Sequence, residues 1–175
     1  MYLEVLDTIK QELASTRGID IPNIIPALYN AERVFVAGAG RSKLVASMFA
    51  MRLMHCGCIV HIIGDVTTPS LNSADAFFVV SSSGETTQLI SFAKKAKSIG
   101  AKVVVVTSNK NSTLGTLSDI AVQIGNPDIK MDNPLPLGSK FELSTLVYLE
   151  SLIIQIMKNN DLTDEHLQYL HANVE

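Results

Sequence analysis

Between an apolar run and a helical pattern lies Ser81-Ser82-Ser83-Gly84-Glu85-Thr86-Thr87, in which every position but Gly84 and Glu85 carries a hydroxyl. Hydroxyls, backbone N–H groups and a helix dipole that converge at such a junction attract an anion. The loop contains no lysine, so it is not a nucleotide P-loop; its donors suit a phosphate monoester held without metal. Ordinary capping by Ser83 or Thr86 would use part of this run, which is longer than one cap requires. A second loop, Gly38-Ala39-Gly40-Arg41-Ser42, offers close backbone approach and a helix start. It reads as a tight turn or as part of a dinucleotide fingerprint with Asp65 as the ribose-binding acid, although Lys43 stands where that fingerprint wants a small residue. Thr107-Ser108-Asn109, followed by Ser112 and Thr113, and also Thr67-Thr68-Pro69, either end strands and cap helices or bind a ligand.

For proton transfer the candidates are Glu142, Glu150, His55, His61, His166 and His171. Glu142 opens a long helical pattern just after a proline-rich stretch, where an acid either complements the helix dipole or serves as a base. His55 closes a helix beside Cys56, where a cationic ring also suits the dipole. His61 lies inside a strand pattern and reads as packed, and His166 reads as solvated. His171 is close to the chain end, where a functional role requires the tail to dock onto something.

These residues need a scaffold, and the pattern supplies one. Strands are expected over Arg33–Ala37, Ile59–Ile63, Ala76–Ser81, Val103–Thr107 and Ile120–Ile124, the fourth being apolar without alternation, as in a parallel strand covered on both faces. Helical patterns at Ser42–His55, Thr86–Ile99 and the shorter Ser112–Leu117 fit the crossovers. The alternation predicts an α/β three-layer sandwich, a five-stranded parallel sheet with helices on both faces. In front, Leu3, Leu6, Ile9 and Leu13 mark a helix face. Behind, the irregular Gly125–Gly138 leads into a helix over Ser139–Lys158, and a last helix opens at Thr163 and runs to the chain end.

A chain of 175 residues with 47% hydrophobic and 18% charged residues forms one domain, 1–175, rather than a disordered or two-domain chain. A net charge of −3 without a basic stripe argues against nucleic acid, the apolar runs are too short for a membrane, and Glu4 and Asp7 are foreign to a signal peptide. Cys56 and Cys58 lack further ligands at zinc spacing, so no metal is expected. They read as reduced thiols where a helix gives way to a strand, in a cytoplasmic protein.

Gly40-Arg41-Ser42, Phe49-Ala50-Met51-Arg52-Leu53-Met54-His55, Thr67-Thr68-Pro69, Ser83-Gly84-Glu85-Thr86-Thr87, Thr107-Ser108-Asn109, Phe141-Glu142-Leu143-Ser144 and His171-Ala172-Asn173 occur in that order. In these motifs the chain resembles the 6-phospho-3-hexuloisomerases of the sugar isomerase (SIS) superfamily. The resemblance implies a flavodoxin-like SIS domain. It also implies cofactor-free interconversion of D-arabino-hex-3-ulose 6-phosphate and fructose 6-phosphate through a cis-enediol, downstream of a hexulose-6-phosphate synthase. Arg41, Ser42, Ser81, Ser83 and Thr86 would hold the phosphate, with His55, Thr67 and Ser108 as further candidates. Glu142 would be the base. His171 would act as its partner from a neighbouring subunit of a homotetramer or dimer. Other SIS activities stay open: an arabinose 5-phosphate type isomerase, or a phosphosugar sensor that needs no base. Lys43, Ser82, Asp65 and Leu170 depart from the expected pattern, Leu170 replacing an arginine beside His171.

Overall fold

The computed structural model describes residues 1–16, 21–129 and 133–174. In chain order the elements are α1 (Tyr2–Ser15), α2 (Ile21–Tyr29), β1 (Val34–Gly38), α3 (Gly40–His55), β2 (Val60–Ile62), β3 (Ala76–Val80), α4 (Thr87–Ile99), β4 (Lys102–Thr107), α5 (Thr113–Leu117), β5 (Ile120–Gln123), α6 (Ser139–Asn159) and α7 (Asp164–Tyr169). All five strands pair in parallel in the order β2-β1-β3-β4-β5, with Val34 opposite both Val60 and Ala76 and Phe78 opposite Val104. Strand order therefore reverses beside β1 and β3, where open α/β sheets place their ligands.

The apolar strand runs follow from this covering. Alternate residues of one strand enter different layers: Val34, Val36, Phe78, Val104 and Val106 pack with Phe49, Leu149 and Leu152 from α3 and α6. Phe35, Ala37, Phe77, Val103 and Val105 pack with Leu89, Ala93 and Leu114 from α4 and α5. A sheet buried on both faces cannot show polar alternation.

The sequence expectations need correction at several places: Ile59 and Ile63 flank β2, Ser81 follows β3, and Ile124 follows β5. Arg33 lies before β1, and its guanidinium donates to both oxygens of buried Asp75, at 3.0 and 2.8 Å, tying β1 to β3 at the end remote from the loops. Helix α2 had no counterpart in the sequence reading. It contains Pro26, yet Ile24, Ile25 and Leu28 bury against the sheet and offset the lost backbone bond. Helix α1 is rotated from the expected face: Thr8, Ile9 and Glu12 are buried, while Leu3 and Leu6 are exposed. Helix α7 stops at Tyr169 and does not run to the chain end; its start at Thr163 is as expected, with the threonine hydroxyl accepting from the His166 N–H at 3.3 Å.

Candidate active site

The serine loop leaves β3 and turns at Gly84, whose φ of +67° favours glycine, and a Cβ there would fall 1.9 Å from the Ser112 hydroxyl. The turn is pinned from several sides. The Gly84 N–H donates to Ser81 Oγ at 3.2 Å, the Glu85 N–H donates to Ser83 Oγ at 3.2 Å, and Ser108 Oγ donates to the Ser82 carbonyl at 2.7 Å. Both Glu85 oxygens are taken at 2.7 Å, one by the Thr113 N–H and the other by the Thr113 hydroxyl. These bonds hold the Glu85 carboxyl below its ordinary range and commit it to structure.

What the loop leaves free matters more. Thr86 is the N-cap residue of α4, but its side chain makes no cap bond. Helix α3 starts after Ala39 and α6 after Gly138, also without side-chain caps, whereas α5 and α7 are capped by Ser112 and Thr163. The first-turn N–H groups of α3 and α4 thus lack side-chain acceptors beside a 290 Å³ cavity lined by Ala39, Ser42, Ser81, Ser82, Ser83 and Thr86. Donors facing a polar hollow make an anion site. The first loop contributes through packing as well: a Cβ on Gly38 would lie 2.7 Å from Lys43 Cα, so its glycine lets α3 approach β1.

Glu142, buried in the first turn of α6, forms an ion pair with Arg41 Nε in the first turn of α3. The bond uses Nε and leaves the guanidinium's terminal nitrogens for another oxyanion. Arg41, Ser42, the serine loop and Glu142 are therefore gathered at the carboxyl ends of β1 and β3. Ser108 borders an adjoining 320 Å³ cavity, which shares Ser82 with the first and also touches Gly138 and Phe141. Thr67 is not in this group. It lines a separate 360 Å³ cavity along β2 with Met51, Met54 and His61.

His55 and His171 also stand apart within one chain. Buried His55 ends α3, and the exposed His171 ring stacks on it with centroids 5.1 Å apart. Arg41 and His55 are at opposite ends of α3, about 20 Å apart along the axis. His61 packs on Phe35, centroids 5.2 Å apart, as its strand position suggested. Cys56 and Cys58 are free thiols, and burial pushes Cys58 up to about 11, so it is no thiolate at neutral pH. Among the described residues no cluster of His, Cys, Asp and Glu could hold a metal, and no helix is long and apolar enough to cross a membrane. One pair went unread in the sequence: Glu12 of α1 and Lys140 of α6, which line the second cavity. Each taken alone has the spacing of an ordinary surface charge.

If the serine loop binds phosphate, inorganic phosphate should raise the thermal midpoint of the wild type, because a ligand bound only by the native state stabilises it. Ser83→Ala with Thr86→Ala should remove most of that shift while the unliganded midpoint stays close to wild type. An undiminished shift in thermal denaturation of the double variant would remove these hydroxyls from the anion site.

Comparison with known proteins places the fold and the family. The model of the SIS domain matches residues 27–148. A 3-hexulose-6-phosphate isomerase of Methylomonas aminofaciens is 43% identical over 83% of this chain and 82% of its own. One of Bacillus subtilis is 34% identical over 98% of this chain and 96% of its own. A solved Methanococcus jannaschii structure, from which a molecular function of 3-hexulose-6-phosphate isomerase was inferred, superposes with a TM-score of 0.87 at 29% identity, covering 99% of both chains. The hollow and the paired carboxylate thus sit in a fold shared with sugar phosphate isomerases, and this chain belongs to the SIS domain family, among the relatives of the 3-hexulose-6-phosphate isomerases.

Proposed function

We propose that this chain interconverts D-arabino-hex-3-ulose 6-phosphate and fructose 6-phosphate. The observation that carries the reading is the meeting of a buried carboxylate, Glu142, with an uncapped hydroxyl loop through Arg41 and Ser42. Phosphate held by Ser42, Ser81, Ser83, Thr86 and the terminal nitrogens of Arg41 anchors the substrate at a point remote from the reacting carbons, so its binding energy is spent on orientation. Glu142 takes the proton from C2 while the C–H electrons form the C2–C3 double bond and O3 gains a proton. As the O2 proton leaves and the C2 carbonyl forms, Glu142 returns its proton to C3. One carboxylate on one face of a cis-enediol serves both transfers.

The oxygens need a donor, and we assign it to His171 of a second copy. Leu44, Met48 and Met51 form an exposed apolar stripe along α3, with Val147 and Ile154 exposed on neighbouring α6. A monomer gains nothing from leaving these side chains wet. A two-fold partner whose α3 runs antiparallel along this stripe would bring its His55–His171 end to the Arg41–Glu142 end of the first chain. A dimer or tetramer with shared sites follows, in the cytoplasm, supplied by a hexulose-6-phosphate synthase. Coupling the protein to such a synthase should give fructose 6-phosphate. No fructose 6-phosphate, in a mixture where the synthase demonstrably makes its product, refutes the assignment.

A further inference from the structure

The second cavity holds a charged pair that the reaction as described leaves unused. Lys140 Nζ lies 2.7 Å from Glu12 Oε2; the Glu12 side chain is 7% exposed and the Lys140 side chain 22%. The acid is packed so closely on Gly125 that a Cβ there would come within 2.2 Å of Oε1; both side chains border the hollow, and the ammonium is the more exposed of the two. Ser82, Ser108 and Asn126 border the same space.

Stability gives a poor reason for this pair. Taking two charges out of water costs more than their attraction commonly returns, and an apolar pair of similar volume is often as stable. Lys140 is also the second residue of α6, where the helix dipole disfavours a cation. Glu12 holds the cation at this position, and the cavity is where it can meet a ligand. Lying over the ends of β3, β4 and β5, this hollow joins the anion cavity through Ser82, and its wall includes Gly138, whose Cβ position would be 3.5 Å from Glu142 Oε1. A chain anchored by phosphate in the first cavity would extend past Glu142 into the second.

Building on the isomerase reading above, we infer that Lys140 is a further substrate-binding residue and that Glu12 is its positioning residue. The ammonium donates to the hydroxyl oxygens at the C1–C2 end of the sugar and so turns the C2–H bond toward Glu142. Helix α1 then belongs to the site: it delivers Glu12, and the Thr16 hydroxyl that follows it accepts from the Gly125 N–H at 2.8 Å, tying the helix end to the segment just after β5.

The test compares full-length wild type with Glu12→Gln/Lys140→Met, which removes both charges without stranding either. In the double variant kcat/KM for the 3-hexulose 6-phosphate should fall about 10- to 100-fold, the value of hydrogen bonds from a charged donor. The fall should appear in both KM and kcat, while stabilisation by inorganic phosphate stays at the wild-type level. A folded double variant with near-wild-type kcat/KM would show the pair to be only a tie between α1 and α6, and would overturn the inference. Should the double variant not fold, Lys140→Gln alone decides on the same kinetic criterion. A wild type that is stabilised by phosphate yet turns over no hexulose phosphate sinks the isomerase reading instead, so the two failures are distinct.

Discussion

Replacing Glu142 with glutamine should lower kcat by about two to four orders of magnitude, the usual range for a positioned base. Glutamine keeps the shape and can still accept a hydrogen bond from Arg41 Nε, but it cannot take a proton from carbon. KM should change little, because the hydroxyl loop and the cavity around it are untouched. Exchange of the C2 hydrogen with deuterium from solvent should disappear in parallel, which isolates the proton step from product release. If Glu142→Gln isomerises and exchanges near the wild-type rate, the carboxylate is only a partner for Arg41, and the base must be sought among the histidines.

Deleting the tail from Leu170 should abolish turnover as completely while leaving a folded core. Among the described residues, none beyond that point belongs to either buried cluster, and α7 itself buries none. Within one chain the loss would be puzzling, since His171 stacks on His55 at the far end of α3 from Glu142. Sites shared between copies explain it, and they predict complementation. Mixing the deletion with Glu142→Gln under conditions that exchange subunits should restore part of the activity, because some hybrid sites combine an intact Glu142 with an intact tail. Inactive hybrids, once mixed oligomers are shown by mass, would make His171 structural or a partner of its own chain's site.

Much of this arrangement was legible in the residues. Val103–Val106 read as a strand covered on both faces and Ala76–Ser81 as a strand, and the two loops that leave β1 and β3 announced themselves through glycines and hydroxyls. Glu142 was visible as an acid at a helix start, although its choice as the base came from the family resemblance. Other features were hidden for physical reasons. Pro26 masks α2, because a proline in a nine-residue helix looks like a breaker until the buried isoleucines that outweigh it are placed. The rotation of α1 went unseen, since Leu3 and Leu6 form as plausible a face as Thr8, Ile9 and Glu12. Glu12 and Lys140 carry no local signal at all; their meaning arises only when α1 lies against α6. The stacking of His171 on His55 likewise joins two sequence regions that share no pattern.

The late position of α6 has a consequence for biosynthesis. Phe141, Leu149, Leu152, Ile153 and Ile156 complete the core layer that α2 and α3 begin on one face of the sheet, yet all five strands leave the ribosome before them. At about 5–20 residues per second, that layer of a nascent chain stays incomplete on the order of seconds. During this interval the valine-rich β4 is a template for wrong pairing, whereas in the finished protein it is an inner strand with both neighbours in place. The outer positions go to β2 and β5, three and four residues long, so the native sheet offers little edge to another chain. The hazard of this architecture is therefore confined to the time before its last long helix arrives.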